Sequence, residues 1–291
     1  MLKNENKKLG ILLDSFSGYS QIEIEKLGYH MIPLQFTIDN KSYVDNGIEL
    51  SFEEMTNMIQ NSSSASTSLP SLALIEEKLQ QMSEQYEHTI VLTLSSKLSS
   101  TFETVFVNAK KFNNIFPIDN HMCGEEAIWV AKELEKRYAE GAAIENLIEF
   151  VEKYNSKTQN YLIPENLDHL IRGGRLKGIK KTILKNLKLF PILKVTEKGI
   201  TLGGLKRSSE NAIKKSIASL LDFIGGESEA HKFDFQIIHG GNYPAILLAE
   251  KAFEAKNLKI TSIVKSSATV LIHTGIGCIS IAVSPKVEFI K

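Results

Sequence analysis

Hydroxyl, imidazole and guanidinium groups gather in a few short stretches of this chain. They are Thr67-Ser68-Leu69-Pro70-Ser71, Ser95-Ser96-Lys97-Leu98-Ser99-Ser100-Thr101, Arg172-Gly173-Gly174-Arg175 and His273-Thr274-Gly275-Ile276-Gly277, with Asp14-Ser15 and Lys206-Arg207 beside them. Groups of these types hold oxyanions. Hydroxyls give an ionised carboxylate strong charge-assisted bonds without a large fixed charge, and guanidinium offers a planar fork for carboxylate or phosphate. Ser99 and His273 also admit nucleophilic chemistry, a serine hydrolase acting on acyl esters. That reading lacks a G-x-S-x-G elbow and a carboxylate assignable as the histidine's orienter.

Each residue has a bland reading beside the chemical one. Ser100-Thr101-Phe102-Glu103 fits a capping box, so Ser100 is the expected helix N-cap and Glu103 its reciprocal partner. Ser99 then stands just outside the helix with its hydroxyl free, near N–H groups that favour an anion, or it is a turn residue. Thr67 and Ser68 sit in a serine-rich stretch where most hydroxyls satisfy local backbone. Pro70 biases Leu69 toward extended geometry, which aims the hydroxyls before it. His273 follows the apolar Val270, Leu271 and Ile272, a place for a structural histidine or for a proton donor near neutral pH. Only four residues are arginine, and Arg172, Arg175 and Arg207 are three of them. They serve an anion, or else the carbonyls at helix ends and surface carboxylates. Asp14-Ser15 ends an apolar run, in the ligand crevice of an open α/β sheet or as the cap of the next turn. Two patterns are decoys. Gly173 and Gly178 have P-loop spacing with Ile179 where the lysine belongs, and Gly275-Ile276-Gly277 lacks a third glycine.

The elements that must carry these groups follow from hydrophobic period. Apolar runs at Leu9–Leu13, Met31–Ile38, His88–Leu94 and Ile115–Ile118 read as strands. Helical spacing covers 51–60, 72–85 (with Leu72, Ile75, Leu79 and Met82 on one face), 100–112, 124–140 and 143–157. Strands alternating with helices predict a parallel sheet covered on both faces. Residues 61–68 read as a polar loop. Beyond Ser156-Lys157 the pattern changes: Tyr161–Ile163 is a strand, and Phe190–Val195 with Ile200–Leu205 forms a hairpin around Glu197-Lys198-Gly199. A helix at 208–223, a strand at 233–239, a helix at 244–256 and strands at 259–264 and 278–284 complete the chain.

Composition sets the outer limits. The 291 residues carry 34 basic and 34 acidic side chains, so there is no basic surplus of the kind a nucleic-acid binder needs. Cys123 and Cys278 form no CxxC and read as reduced, packed thiols. The lysines of MLKNENKKLG precede no hydrophobic run, and no stretch approaches the roughly 18 apolar residues of a membrane helix. The expectation is a soluble cytoplasmic protein.

In order and spacing, the clusters resemble the DegV family of fatty-acid-binding proteins from about residue 9 to residue 283. The resemblance implies a two-domain α/β fold. Residues 1–156 would form a Rossmann-like parallel sheet with flanking helices, and 157–291 an α/β domain with a mixed sheet. It implies one long-chain fatty acid in a buried tunnel, its carboxylate on Thr67, Ser99 and His273, with Ser68, Ser96 and Gly275 as secondary ligand positions. The implied protein is a carrier rather than an enzyme, with no cofactor or metal beyond its lipid. It presents the carboxylate to a separate cytosolic ATP-dependent fatty acid kinase that makes acyl-phosphate. Arg175 and Arg207 match positions for docking or phosphoryl transfer, Arg172 and Lys206 less closely. Transient contact with a membrane surface fits such a ligand; nucleic acid does not. The chain departs from the family pattern at Phe16, Leu69, Ser100 and Ile276, which bears on chain-length preference and docking. A regulatory partner-binding module is the remaining alternative.

Overall fold

The computed structural model describes residues 9–165, 167–175, 189–196 and 198–290. Numbered along the chain, its strands are β1 (Leu9–Asp14), β2 (His30–Ile32), β3 (Gln35–Ile38), β4 (Lys41–Val44), β5 (Ala65–Ser68), β6 (His88–Thr93), β7 (Ile115–Asp119), β8 (Gln159–Ile163), β9 (Phe190–Thr196), β10 (Gly199–Lys206), β11 (Phe233–His239), β12 (Ser262–Lys265) and β13 (Ile279–Pro285). The fold is α/β. A four-stranded, all-parallel sheet has the order β2-β1-β6-β7. Leu9, Ile11 and Leu13 of β1 join one core with helices Glu125–Ala139 and Ile144–Ser156. Leu12 joins another, with helices Leu72–Gln85 and Thr101–Ala109. Alternate residues of one strand are thus buried in opposite layers, as a parallel sheet between helices requires.

A second sheet of six strands, order β10-β9-β8-β13-β11-β12, is antiparallel except for the β11–β12 pair. Its odd-numbered positions Tyr161, Ile163, Phe235, Ile237, Ile279 and Ile281 pack with helices Ser209–Ile224 and Tyr243–Glu254. The intervening residues Asn160, Leu162, Ile238 and Ser280 face the first sheet and line the space between. Helix Ile144–Ser156 ends where β8 is about to begin, yet the tail returns: Ile290 lies in the core of the first sheet, and its carbonyl accepts from Arg137 Nη2 at 2.8 Å. Among the described residues, no helix is long and apolar enough to cross a membrane.

Four local expectations are corrected. The run Met31–Ile38 is two strands in different sheets, because Pro33 cannot donate to a ladder and breaks it. The polar stretch 61–68 is not all loop: β5 pairs antiparallel with β3, which also pairs with β4, in a third small sheet. Leu72 is exposed, while Ile75, Leu79 and Met82 are buried. His273 belongs to a helix, Ala268–Thr274, that its β-branched neighbours concealed. Gly178 and Ile179 of the false P-loop, and Glu197 of the hairpin turn, lie outside the described residues.

Candidate functional site

From β1 the chain order runs outward in both directions, so the carboxyl ends of β1 and β6 meet at the switch point where open α/β sheets bind ligands. Asp14 ends β1, and its buried carboxylate accepts the Leu94 N–H at 2.6 Å and the Phe16 N–H at 3.0 Å. Burial is the main cause that raises its pKa to about 7, and the Asp45 charge adds to it. Ser15 Oγ accepts the Leu34 N–H at 3.0 Å. Asp14 and Ser15 therefore tie loops together, and it is their neighbours Phe16 and Ser17 that reach the cavity.

That cavity encloses about 310 Å³ between the two large sheets. Its walls include Phe16, Leu34, Leu94 and Leu98 from one side and Leu162, Leu170, Val195 and Ile200 from the other. Cys123 and Cys278 are free, buried thiols in the same wall, and burial raises the pKa of both. Asn160 Nδ2 lies 3.0 Å from Cys123 Sγ, and its Oδ1 accepts from Ser280, so the polar groups there satisfy one another.

At one end the wall becomes polar. Thr67, on β5 opposite Phe36, places its Oγ1 2.8 Å from His273 Nε2, across 206 residues of sequence. Ser68, Ser99 and Arg175 line the same cavity. Thr67, Arg175 and His273 also border a polar groove outside it, lined by Ser62–Ser66, His169 and Arg172. The apolar space thus meets water at a cluster of hydroxyl, imidazole and guanidinium groups, where a carboxylate avoids the cost of unpaired burial.

Ser99 differs from its expected role. Ser100 has φ −81° and ψ 9° and makes no side-chain cap. Already turned rather than extended, it leaves the capping to Ser99, whose Oγ accepts the Thr101 N–H at 3.2 Å and lies 2.8 Å from Thr101 Oγ1. The Ser99 hydroxyl is therefore oriented by the helix start instead of free. Arg175 follows its carbonyl-binding alternative: Nε donates to Leu98 O at 3.2 Å and Nη1 to Gly173 O. It fastens the Ser99 loop to the Arg172-Gly173-Gly174-Arg175 turn.

Three expected positions fall elsewhere. Ser96 is outside the cavity wall, its N–H and hydroxyl both given to Asp119. Gly275 closes the His273 helix with φ +87° and packs against His169. Arg207 is exposed just past β10 and lines neither the cavity nor the groove. Sequence reasoning singled out Gly173 within its turn but missed its part in the site, where a Cβ would stand 2.2 Å from His273 Nδ1. It also missed the wall residues of β8 and β9, whose period-two alternation was the available signal.

A profile of the DegV family, described as an uncharacterised protein family, matches residues 8–286. The chain belongs to the DegV family. A DegV domain-containing protein of Clostridium acetobutylicum is 29% identical over 287 residues, covering 96% of this chain and 100% of its own. A fatty-acid-binding DegV family protein from Streptococcus agalactiae superposes with TM-score 0.84 at 21% identity, over 96% of this chain and 99% of its own. A stearic-acid-binding protein from Eubacterium ventriosum gives 0.83 at 20% identity, with the same coverage of 96% and 99%. At these identities the structural likenesses speak for the DegV fold.

In this DegV chain, His273 is held neutral. Burial first, then the charges of Arg175 and His169, lowers its pKa from 6.5 to about 4. The unfolded chain therefore binds more protons between those values, so stability is full above about 6.5 and is lost as pH falls toward about 4. The expected loss is about 2 kcal/mol, allowing for the ring's partial exposure. Asp14, raised to about 7, and Glu126, raised to about 8, add stability as pH falls, so the share of His273 is read as a difference. Between pH 7 and 4, His273→Gln should lose less stability in urea unfolding, or gain more, than the wild type. Equal changes would mean that His273 is not a titrating group.

Proposed function

We propose that this DegV-family protein carries one long-chain fatty acid in the cavity, with its carboxylate held by Thr67, Ser99 and His273. The observation that carries the reading is the Thr67–His273 pair at 2.8 Å, standing where the apolar cavity meets the polar groove. A chain of about 15 methylenes gains on the order of 12 kcal/mol on burial, before binding costs. Neutral His273 and two hydroxyls then offer hydrogen bonds without a fixed charge that would trap the anion. Relatives described as fatty-acid-binding share the fold and support the ligand class.

The proposal extends to presentation of the carboxylate to a separate ATP-dependent kinase, which would form acyl-phosphate at the groove side. Arg172 and Arg175 border that groove and would offset the charge of an approaching phosphoryl group. A hydrolase finds less support, because His273 Nδ1 is buried and, among the described residues, has no hydrogen-bond partner and so no carboxylate to orient it.

Native mass spectrometry of freshly purified protein, followed by extraction and identification of bound lipid, tests the carrier reading. One fatty acid near one equivalent is expected. Protein that arrives without lipid and takes up none when offered would overturn it. For presentation, Arg207→Ala should keep its lipid and lose about 10–100-fold in phosphorylation by a cognate kinase, as an exposed arginine anchor at an interface would. Unchanged phosphorylation would remove Arg207 from the docking face. Arg175→Ala should weaken lipid retention as well, since Arg175 also holds the Ser99 loop.

A further inference from the structure

Helix Ala268–Thr274 carries His273 at its C-terminal end, and its N-terminal end is held from far away in sequence. Ser267 occupies the N-cap position but makes no side-chain cap. Its hydroxyl lies 3.2 Å from Thr269 Oγ1. The capping carboxylate is Asp45, which is buried. One oxygen accepts the Ala268 N–H at 3.3 Å; the other accepts the Thr269 N–H at 3.0 Å and the Thr269 hydroxyl at 2.6 Å. A carboxylate there satisfies orphan donors and complements the helix dipole.

Asp45 also belongs to the other half of the site. It directly follows β4, and its N–H donates to Leu34 O at 2.8 Å. β4 pairs with β3, and β3 pairs Phe36 with Thr67 on β5. The two residues at the cavity mouth thus sit on elements that Asp45 joins. Phe36, Ile38, Leu271 and Ile272 bury an apolar contact between the same elements. Such contact is non-directional and tolerates a small rotation of the helix about its axis. A 2.8 Å hydrogen bond at the end of that helix does not.

We infer that Asp45 is a positioning residue, which caps the His273 helix from the edge of the small sheet and so sets the Thr67–His273 pair. The inference rests on the carboxylate-binding reading above for its consequence, and on geometry alone for the positioning itself.

The test uses the full chain labelled with ¹⁵N-histidine. His273 is assigned by its loss in His273→Ala, and its tautomer and titration are read from long-range ¹H–¹⁵N spectra. Stearate titration and circular dichroism accompany the spectra. Asp45→Ala is expected to stay folded, to move the His273 resonances and to bind stearate about tenfold more weakly. Asp45→Asn, which keeps one acceptor, should fall between. In a His273→Ala background, Asp45→Ala should weaken stearate binding no further. Unmoved His273 resonances in a folded variant, or an additive loss in that background, would overturn the inference. Should Asp45→Ala unfold, Asp45→Asn and Thr269→Val carry the same comparison. A wild-type chain that takes up no stearate defeats the carrier reading alone, and the His273 spectra then decide Asp45 by themselves.

Discussion

Alanine at Thr67 and Ser99 together should strip the chain of bound fatty acid while leaving its fold in place. Each hydroxyl is proposed to donate a charge-assisted bond to the carboxylate, worth about 1.5–3 kcal/mol. Losing both removes about 3–6 kcal/mol, a 10²–10⁴-fold drop in affinity. Neither residue supports the core. Thr67 is half-buried on a short strand of the small sheet, and Ser99 is half-buried in a loop. Loss of the Ser99 hydroxyl also removes the bond to the Thr101 N–H, a cap worth about 1 kcal/mol. Thermal unfolding should therefore shift modestly, while stearate affinity and co-purified lipid collapse. Ser96→Ala is the matched control: its hydroxyl is given to Asp119 outside the cavity wall, so lipid content should not change. If the double variant retains a full equivalent of lipid, the head group lies elsewhere.

The site was readable where its chemistry is local and obscure where it is assembled. Leu9–Leu13 and the Ile90–Leu92 centre of His88–Leu94 are apolar and lead into small polar residues, so both the parallel sheet and its ligand-bearing end could be inferred. The serine-rich stretch before Pro70 looked like a loop because Ala65–Ser68 has little of the bulk that marks strands, yet β3 supplies it with a complete partner. The helix begins after Ser100 as its pattern predicts, but the capping hydroxyl comes from Ser99, because the turned Ser100 backbone does not offer its own side chain to the first N–H groups. The helix that carries His273 was not legible because the residues that make it stable are distant: the cap is Asp45, and the packing includes Phe36 and Ile38. No local pattern reports a cap 224 residues away. The cysteines were rightly taken as buried, but burial in a core and burial in a cavity wall have the same sequence signature.

Gly173→Ala should damage the site as severely as loss of a ligand-contacting side chain, and for a reason that a second substitution can isolate. Gly173 has φ −70° and ψ −10°, a conformation open to any residue, so its backbone gives no objection to alanine. The objection is contact: the added Cβ would stand 2.2 Å from His273 Nδ1 and 3.0 Å from Cε1. Either the imidazole swings off Thr67, or the turn retreats and draws with it Arg175, which is bonded to Gly173 O and Leu98 O. Both outcomes open the mouth of the cavity. Overpacking of this kind costs about 1–3 kcal/mol, and stearate affinity should fall at least about tenfold. In a His273→Ala background the methyl meets space left by the ring and only its 3.2 Å approach to the His169 carbonyl remains, so Gly173→Ala should then cost under about 1 kcal/mol in urea unfolding. Gly174→Ala supplies the contrast. Among the described residues nothing lies within 4 Å of its Cβ position, but its φ is +70°, so the cost there is backbone strain of about 1–2 kcal/mol. That cost cannot be relieved by removing His273. Rescue at 173 without rescue at 174 would identify His273 as the group the first glycine makes room for; equal, additive losses would show that the turn is required for its own shape instead.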